Sequence, residues 1–154
     1  MAYWLVKTEP SEWSIDDFAA EPGRAVPWDG VRNYQARNFL LRMSRGDSVL
    51  VYHSSCRRIG VAGIARVVRE AYPDPSQFDG ASPYFDEKST REAPRWVAVD
   101  LQFERRLSAL IPLARIRECP GLEEMPLVKK GNRLSVMPVT AGQWERILSL
   151  EENS

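Results

Sequence analysis

Near its start the chain carries the run Trp4-Leu5-Val6 between Tyr3 and Lys7, and this short apolar, partly aromatic stretch predicts a buried strand over 3–7. Ser14-Ile15-Asp16-Asp17 predicts a short helix capped by the Ser14 hydroxyl, with acids in its first turn and a stop at Pro22-Gly23. From Asn33 the spacing becomes helical. Ala36, Phe39, Leu40 and Met43 share one face and leave Arg37, Asn38 and Leu41 outside it, so an amphipathic helix is expected from Asn33 to just before Gly46. The mostly apolar segments 48–53 and 59–68 predict two strands of a hairpin, joined by the basic connection Ser54-Ser55-Cys56-Arg57-Arg58. Between Tyr72 and Arg95 lies a polar stretch with Pro73, Pro75, Pro83 and Pro94; loops of that length in compact domains tend to carry function, so it is expected to form one wall of a site.

Val97, Val99, Leu101 and Phe103 alternate with Ala98, Asp100, Gln102 and Glu104, the period-two pattern of a half-buried strand. Short helical turns are expected over 113–117 and 122–125 and a strand over 134–137. Thr140-Ala141-Gly142-Gln143 reads as a capping box opening a last helix with Trp144, Ile147 and Leu148 inward. Five or six strands with too few helices for a doubly wound parallel sheet predict an α+β fold, a strongly bent mixed sheet with packed helices, and 154 residues suit a single domain over 1–154.

Composition narrows the chemistry. Cys56, Cys119 and the single histidine, His53, cannot assemble a Cys/His zinc site, so no metal is expected and a zinc-dependent deaminase is excluded. His53 and Ser54 are strand neighbours that point to opposite faces, which disfavours a shared proton, and the glycine-rich Gly60-Val61-Ala62-Gly63 lacks the strand-to-helix setting of a phosphate loop. No apolar stretch approaches about 18 residues, and the expectation is a cytosolic, monomeric protein without membrane contact or cofactor. Net charge is zero, yet residues 24–69 hold nine arginines against two acids, a local excess of +7. Charge so concentrated suits contact with an anionic partner better than coating by bulk electrostatics.

The basic segment contains Trp28-Asp29-Gly30-Val31-Arg32-Asn33-Tyr34-Gln35-Ala36-Arg37-Asn38-Phe39, a mixture for which an apolar core has no use. Trp28 offers a stacking surface, Gly30 lets backbone come close to a ligand, Asn33 can cap the helix, and Arg32 and Arg37 can meet phosphates. Taken with Tyr3-Trp4-Leu5-Val6-Lys7-Thr8-Glu9-Pro10, Gly46-Asp47-Ser48-Val49-Leu50-Val51-Tyr52-His53-Ser54, Tyr72-Pro73-Asp74-Pro75, Ser82-Pro83-Tyr84 and Arg95-Trp96, nearly the whole chain resembles the EVE domain family of the PUA-like superfamily, which also holds the YTH readers of modified RNA bases.

The resemblance implies a PUA-like pseudo-barrel and a non-enzymatic domain that reads a modified, flipped-out or single-stranded base in DNA or RNA. A base so held is stacked on aromatics and hydrogen-bonded at its edge. Trp28 is then one wall and Tyr84 or Phe85 the other, with Val31, Asn33, His53 and Ser54 in the pocket and Arg32, Arg37, Arg57 and Arg58 on phosphates. In the YTH readers a Lys-Ser-Tyr stretch lines the base pocket, and that role carries over to Lys7 and Thr8, although Glu9-Pro10 follows where those readers continue differently. Two other classes stand beside this one: a small-molecule or protein interaction module, and an enzyme acting on nucleotides or nucleic acid.

Overall fold

The computed structural model describes residues 1–152. Its strands are β1 (Tyr3–Thr8), β2 (Val26–Trp28), β3 (Ser48–His53), β4 (Gly60–Pro73), β5 (Val97–Pro112) and β6 (Val136–Val139), and its helices are α1 (Ile15–Ala20), α2 (Tyr34–Arg42), α3 (Leu113–Glu118) and α4 (Ala141–Glu152). The six strands form one mixed sheet in the order β2-β5-β4-β3-β1-β6. Only β1 and β3 run parallel; the remaining pairs are antiparallel. The sheet is not closed, so β2 and β6 are its two edges, and the α+β fold is PUA-like as expected.

Bulges bend it. The β4–β5 ladder shifts register at four places between Val61 and Tyr72, and β3–β4 shifts between Val51 and Tyr52. Each extra residue adds local twist and re-aims the strand. β4 is longer than the apolar pattern predicts, reaching Pro73 instead of stopping near Val68, because Arg69, Tyr72 and Pro73 go on pairing with Asp100, Ala98 and Val97 of β5. The alternation read for β5 fails over Ala98 to Leu101, where both faces are covered; Asp100 is buried there and accepts from the Tyr72 hydroxyl at 2.5 Å.

Local signals set the helices. Ser14 and Asp17 cap α1 reciprocally, Asn33 accepts from the Ala36 N–H at 2.9 Å to cap α2, and Thr140 and Gln143 exchange bonds at the start of α4. α2 buries Ala36 and Leu40, and α4 buries Trp144 and Ile147, against a core that includes Leu5, Val6, Leu50, Leu101, Ile111 and Met137. Buried Asp47 ties three segments together, accepting from the Trp4 indole at 2.9 Å and from the backbone N–H groups of Ala2 and Ser44. The predicted turn over 122–125 lies just ahead of a 3₁₀ turn at Pro126–Val128, and the strand expected over 134–137 sits two residues later as β6.

Candidate functional site

An open cleft of about 1160 Å³ lies at the seam of the unclosed sheet. One side comes from β2 and the segment after it (Val26 to Asn33), the other from the end of β1 and the residues before β6 (Asn132, Arg133 and Ser135), with Pro83 and Tyr84 reaching in from the long loop. Lys7 and Ser135 are joined directly, the Lys7 N–H donating to the Ser135 carbonyl at 2.9 Å.

The long loop is built, not slack. Gln77, fully buried, donates to the carbonyls of Asp74 and Trp96 at 2.8 Å and accepts from the Ser89 hydroxyl and the N–H groups of Arg95 and Trp96. Asp74 is equally buried; one oxygen accepts from Ser76, the other from the Gly30 N–H at 2.8 Å and the Arg32 guanidinium at 3.0 Å. Burial alone would raise the Asp74 carboxyl, but donors from Ser76, Gly30 and Arg32 hold it below the usual carboxylate range. Arg32 continues the brace by donating to the Tyr84 carbonyl at 3.0 and 2.7 Å. The Tyr84 ring lies against Gly30, whose φ of +77° and lack of a side chain are both required, since a Cβ there would meet the ring at 2.8 Å.

Of the residues expected in the pocket, Lys7, Thr8, Trp28, Val31, Asn33, Ser54 and Tyr84 all line this cleft. Trp28 is only 8% exposed and stacks on Phe18 at 5.9 Å, so it belongs to the core as well as to the cleft wall. Thr8 donates its hydroxyl to the Trp13 carbonyl at 2.8 Å, and Asn33 spends its carbonyl oxygen on the α2 cap, leaving its amide NH₂ for the cleft. Lys7 is partly buried, which lowers its pKa. Asp29 also faces the cleft, its pKa raised first by burial and then by the charge of Asp74.

Other expected residues are placed elsewhere. His53 turns toward α1, its Nε2 accepting from the Ile15 N–H at 3.1 Å, and burial lowers its pKa; it completes a helix start and does not line the cleft. Phe85 is 46% exposed and lies outside the cleft, leaving Tyr84 as that loop's aromatic wall. Arg32 touches the cleft but its guanidinium is committed to Asp74, Ser76 and the carbonyls of Val31 and Tyr84, so it braces the wall and has no donor left for a phosphate. Arg37 caps the Arg95 carbonyl and lies over the Tyr34 ring at 4.7 Å. Arg57 and Arg58 border a separate shallow depression with Leu113 and Arg117.

The cations that do reach the cleft, besides Lys7 and Arg32, are Arg24 and Arg133. Sequence reading missed Arg133, together with the aromatic wall residue Trp13, because each is brought in by tertiary folding and no local motif marks it. Trp13 packs edge-on to Phe18 at 5.7 Å and carries Arg24 over its ring at 5.4 Å, and its buried indole N–H has no protein partner. Among the described residues no group of three or more His, Cys, Asp or Glu side chains could hold a metal ion, and no helix is long and apolar enough to cross a membrane.

The model of the EVE domain family matches residues 2–150. Human thymocyte nuclear protein 1 is 40% identical over 98% of this chain and 74% of its own length. A crystal structure of that human protein in complex with DNA containing 5-methylcytosine superposes with a TM-score of 0.94, covering 100% of this chain and 99% of that chain. A Pseudomonas syringae protein of known structure is 50% identical with the same TM-score, covering 97% of this chain and 99% of its own. The YTH domain of the Zygosaccharomyces rouxii MRB1 protein, solved with N6-methyladenosine RNA, shares 11% identity and a TM-score of 0.54 over 98% of this chain and 86% of its own, a likeness of fold alone.

Proposed function

This chain belongs to the EVE domain family, and from that premise we propose that it reads a modified base in nucleic acid through the seam cleft, with Trp28 and Tyr84 as aromatic walls. The observation that carries the reading is the convergence of two aromatics, edge-reading polar groups and peripheral cations in one cleft of a chain so similar to a protein solved with 5-methylcytosine DNA. Stacking holds any base, while Lys7, Thr8, Asn33 and Ser54 supply donors and acceptors that tell edges apart. Binding without turnover fits the chemistry in place. His53 is occupied by the α1 backbone and the Cys56 thiol donates to the Arg58 carbonyl, so neither forms an activated nucleophile with a partner base. The vertebrate relatives carry a nuclear name, and the cytosolic placement expected from the sequence gains no support from them.

Fluorescence anisotropy with labelled oligonucleotides, single-stranded and duplex, carrying 5-methylcytosine, N6-methyladenine or no modification tests this directly. Tighter binding to a modified probe is expected, with Tyr84→Ala weakening it by roughly 1 to 3 kcal/mol, one stacked base, at near-native thermal stability. Equal affinity for every probe, or a Tyr84→Ala variant indistinguishable from wild type, would remove the reading.

A further inference from the structure

A second depression, of about 400 Å³ and sharing no residue with the seam cleft, lies between the β3–β4 connection, the end of β5 and the start of α3. Its floor is apolar, made by Ile59, Leu110, Pro112 and Leu113. The backbone holds that floor in place. Gly60 pairs with Pro112, and a Cβ at Gly60 would run into the Ile111 carbonyl oxygen and meet the Leu110 side chain at 2.6 Å, so it is the missing side chain that lets Leu110 lie across the strand. The Leu113 N–H donates to the Ile59 carbonyl at 3.1 Å and fixes α3 against the connection. Ile59 itself stays 39% exposed on this bonded backbone.

The rim is cationic and lacks a counter-charge. Arg57, Arg58 and Arg117 border the floor and are all exposed, Arg117 standing one helical turn beyond Leu113. No acid lines the depression, and among the described residues none of these three guanidiniums forms an ion pair, whereas Arg24, Arg105 and Arg106 each have a carboxylate partner. An exposed apolar patch with a polar rim marks an interaction surface, and a rim of one sign selects a partner of the other. A nucleic-acid base would find no aromatic ring on this floor to stack on, and a second copy docking through the same patch would set arginines against arginines.

We propose that this groove docks a short acidic segment of a partner protein, which lays an apolar side chain on Ile59, Leu110 and Leu113 and sets flanking carboxylates on Arg57, Arg58 and Arg117. The site is separate from the base cleft and does not depend on base reading.

Random dodecapeptides displayed on phage and selected against the full chain test the proposal without presupposing a sequence. The enriched peptides should combine an aliphatic or aromatic anchor with neighbouring carboxylates. A fluorescein-labelled copy of the most enriched peptide is then titrated with wild type, Arg117→Glu and Ile59→Ser, with thermal melting of each protein recorded alongside. Each variant should weaken binding on the order of tenfold, one by reversing a rim charge and the other by removing the exposed part of the floor, while melting near the wild-type temperature. A single-stranded oligonucleotide carrying 5-methylcytosine should leave the bound peptide in place. Selection of basic or uncharged peptides, no enrichment over the unselected library, or an affinity that either variant leaves unmoved would overturn the proposal. Displacement of the peptide by the oligonucleotide would overturn it in favour of nucleic acid on the arginine rim, and a concentration-dependent dimer dissolved by Arg117→Glu would overturn it in favour of a second copy of the chain.

Discussion

Trp28 and Arg32, four residues apart, show how differently a sequence motif can be used. Both read as ligand-facing, yet the indole is shared between core and cleft, and the guanidinium is spent on protein atoms. Trp28→Ala is therefore a poor probe of recognition. It deletes a side chain stacked on fully buried Phe18, so a stability loss of roughly 3 to 5 kcal/mol would accompany any loss of binding. Arg32 gives a cleaner separation between bracing and phosphate contact. Arg32→Gln leaves buried Asp74 without its cation and the Tyr84 carbonyl without its donor, and breaking such a pair costs roughly 3 kcal/mol, discounted here because the Arg32 side chain is 21% exposed. Thermal melting should fall and nucleic-acid affinity with it, while the dependence of affinity on salt stays at the wild-type slope. A variant that melts normally but binds with a flatter salt slope would return Arg32 to the phosphates. Nothing in the sequence distinguishes these uses, because a guanidinium suits a buried carboxylate and a phosphate equally well.

Elements whose signals are local were legible in the chain. The Ser14 and Asn33 caps, the Thr140–Gln143 box and the apolar face of α2 each depend on residues within a turn or two. What depends on distant partners was not. The β4 extension, the double burial of Asp100 and the ordering of the long loop by Asp74 and Gln77 all arise where bulged strands and a polar loop meet. α1 belongs to both groups, since its cap is local but its first N–H group is satisfied by His53 from β3. That bond makes the helix sensitive to pH. Only neutral His53 can accept through Nε2, and burial lowers its pKa below the ordinary value of about 6.5 despite the opposing charge of Asp16. Because the folded value lies below the unfolded one, the unfolded chain takes up the proton first. The stability linked to neutral His53 is complete above pH of about 6.5 and is lost as pH falls through the folded value. Melting temperatures measured from pH 7.5 downward should decline more steeply for wild type than for His53→Gln, whose amide oxygen accepts without titrating. Parallel declines would detach His53 from α1.

Across the whole molecule, folding redistributes the basic segment that the sequence concentrates. The nine arginines of residues 24–69 go to several separate places: Arg32 and Arg37 into internal bonds, Arg42 over the Phe39 ring, Arg57 and Arg58 to the β3–β4 connection, Arg45, Arg66 and Arg69 to a groove beside Ala25, and Arg24 to the cleft. Arg133, from outside that segment, joins Arg24 there. A protein of zero net charge with so few cations at its ligand cleft should bind with modest electrostatic dependence, since each phosphate contact on a single strand contributes a logarithmic salt slope of roughly 0.7. The wild-type slope should correspond to one to three contacts. Arg24→Gln and Arg133→Gln should each flatten it by about 0.7 without altering the preference between modified and plain bases, because a phosphate contact carries no base information. Arg57→Gln and Arg58→Gln should leave it unchanged. If the pattern is reversed, with the β3–β4 arginines setting the slope and the cleft arginines silent, the strand leaves the cleft over that connection, and the backbone path drawn from the seam is wrong.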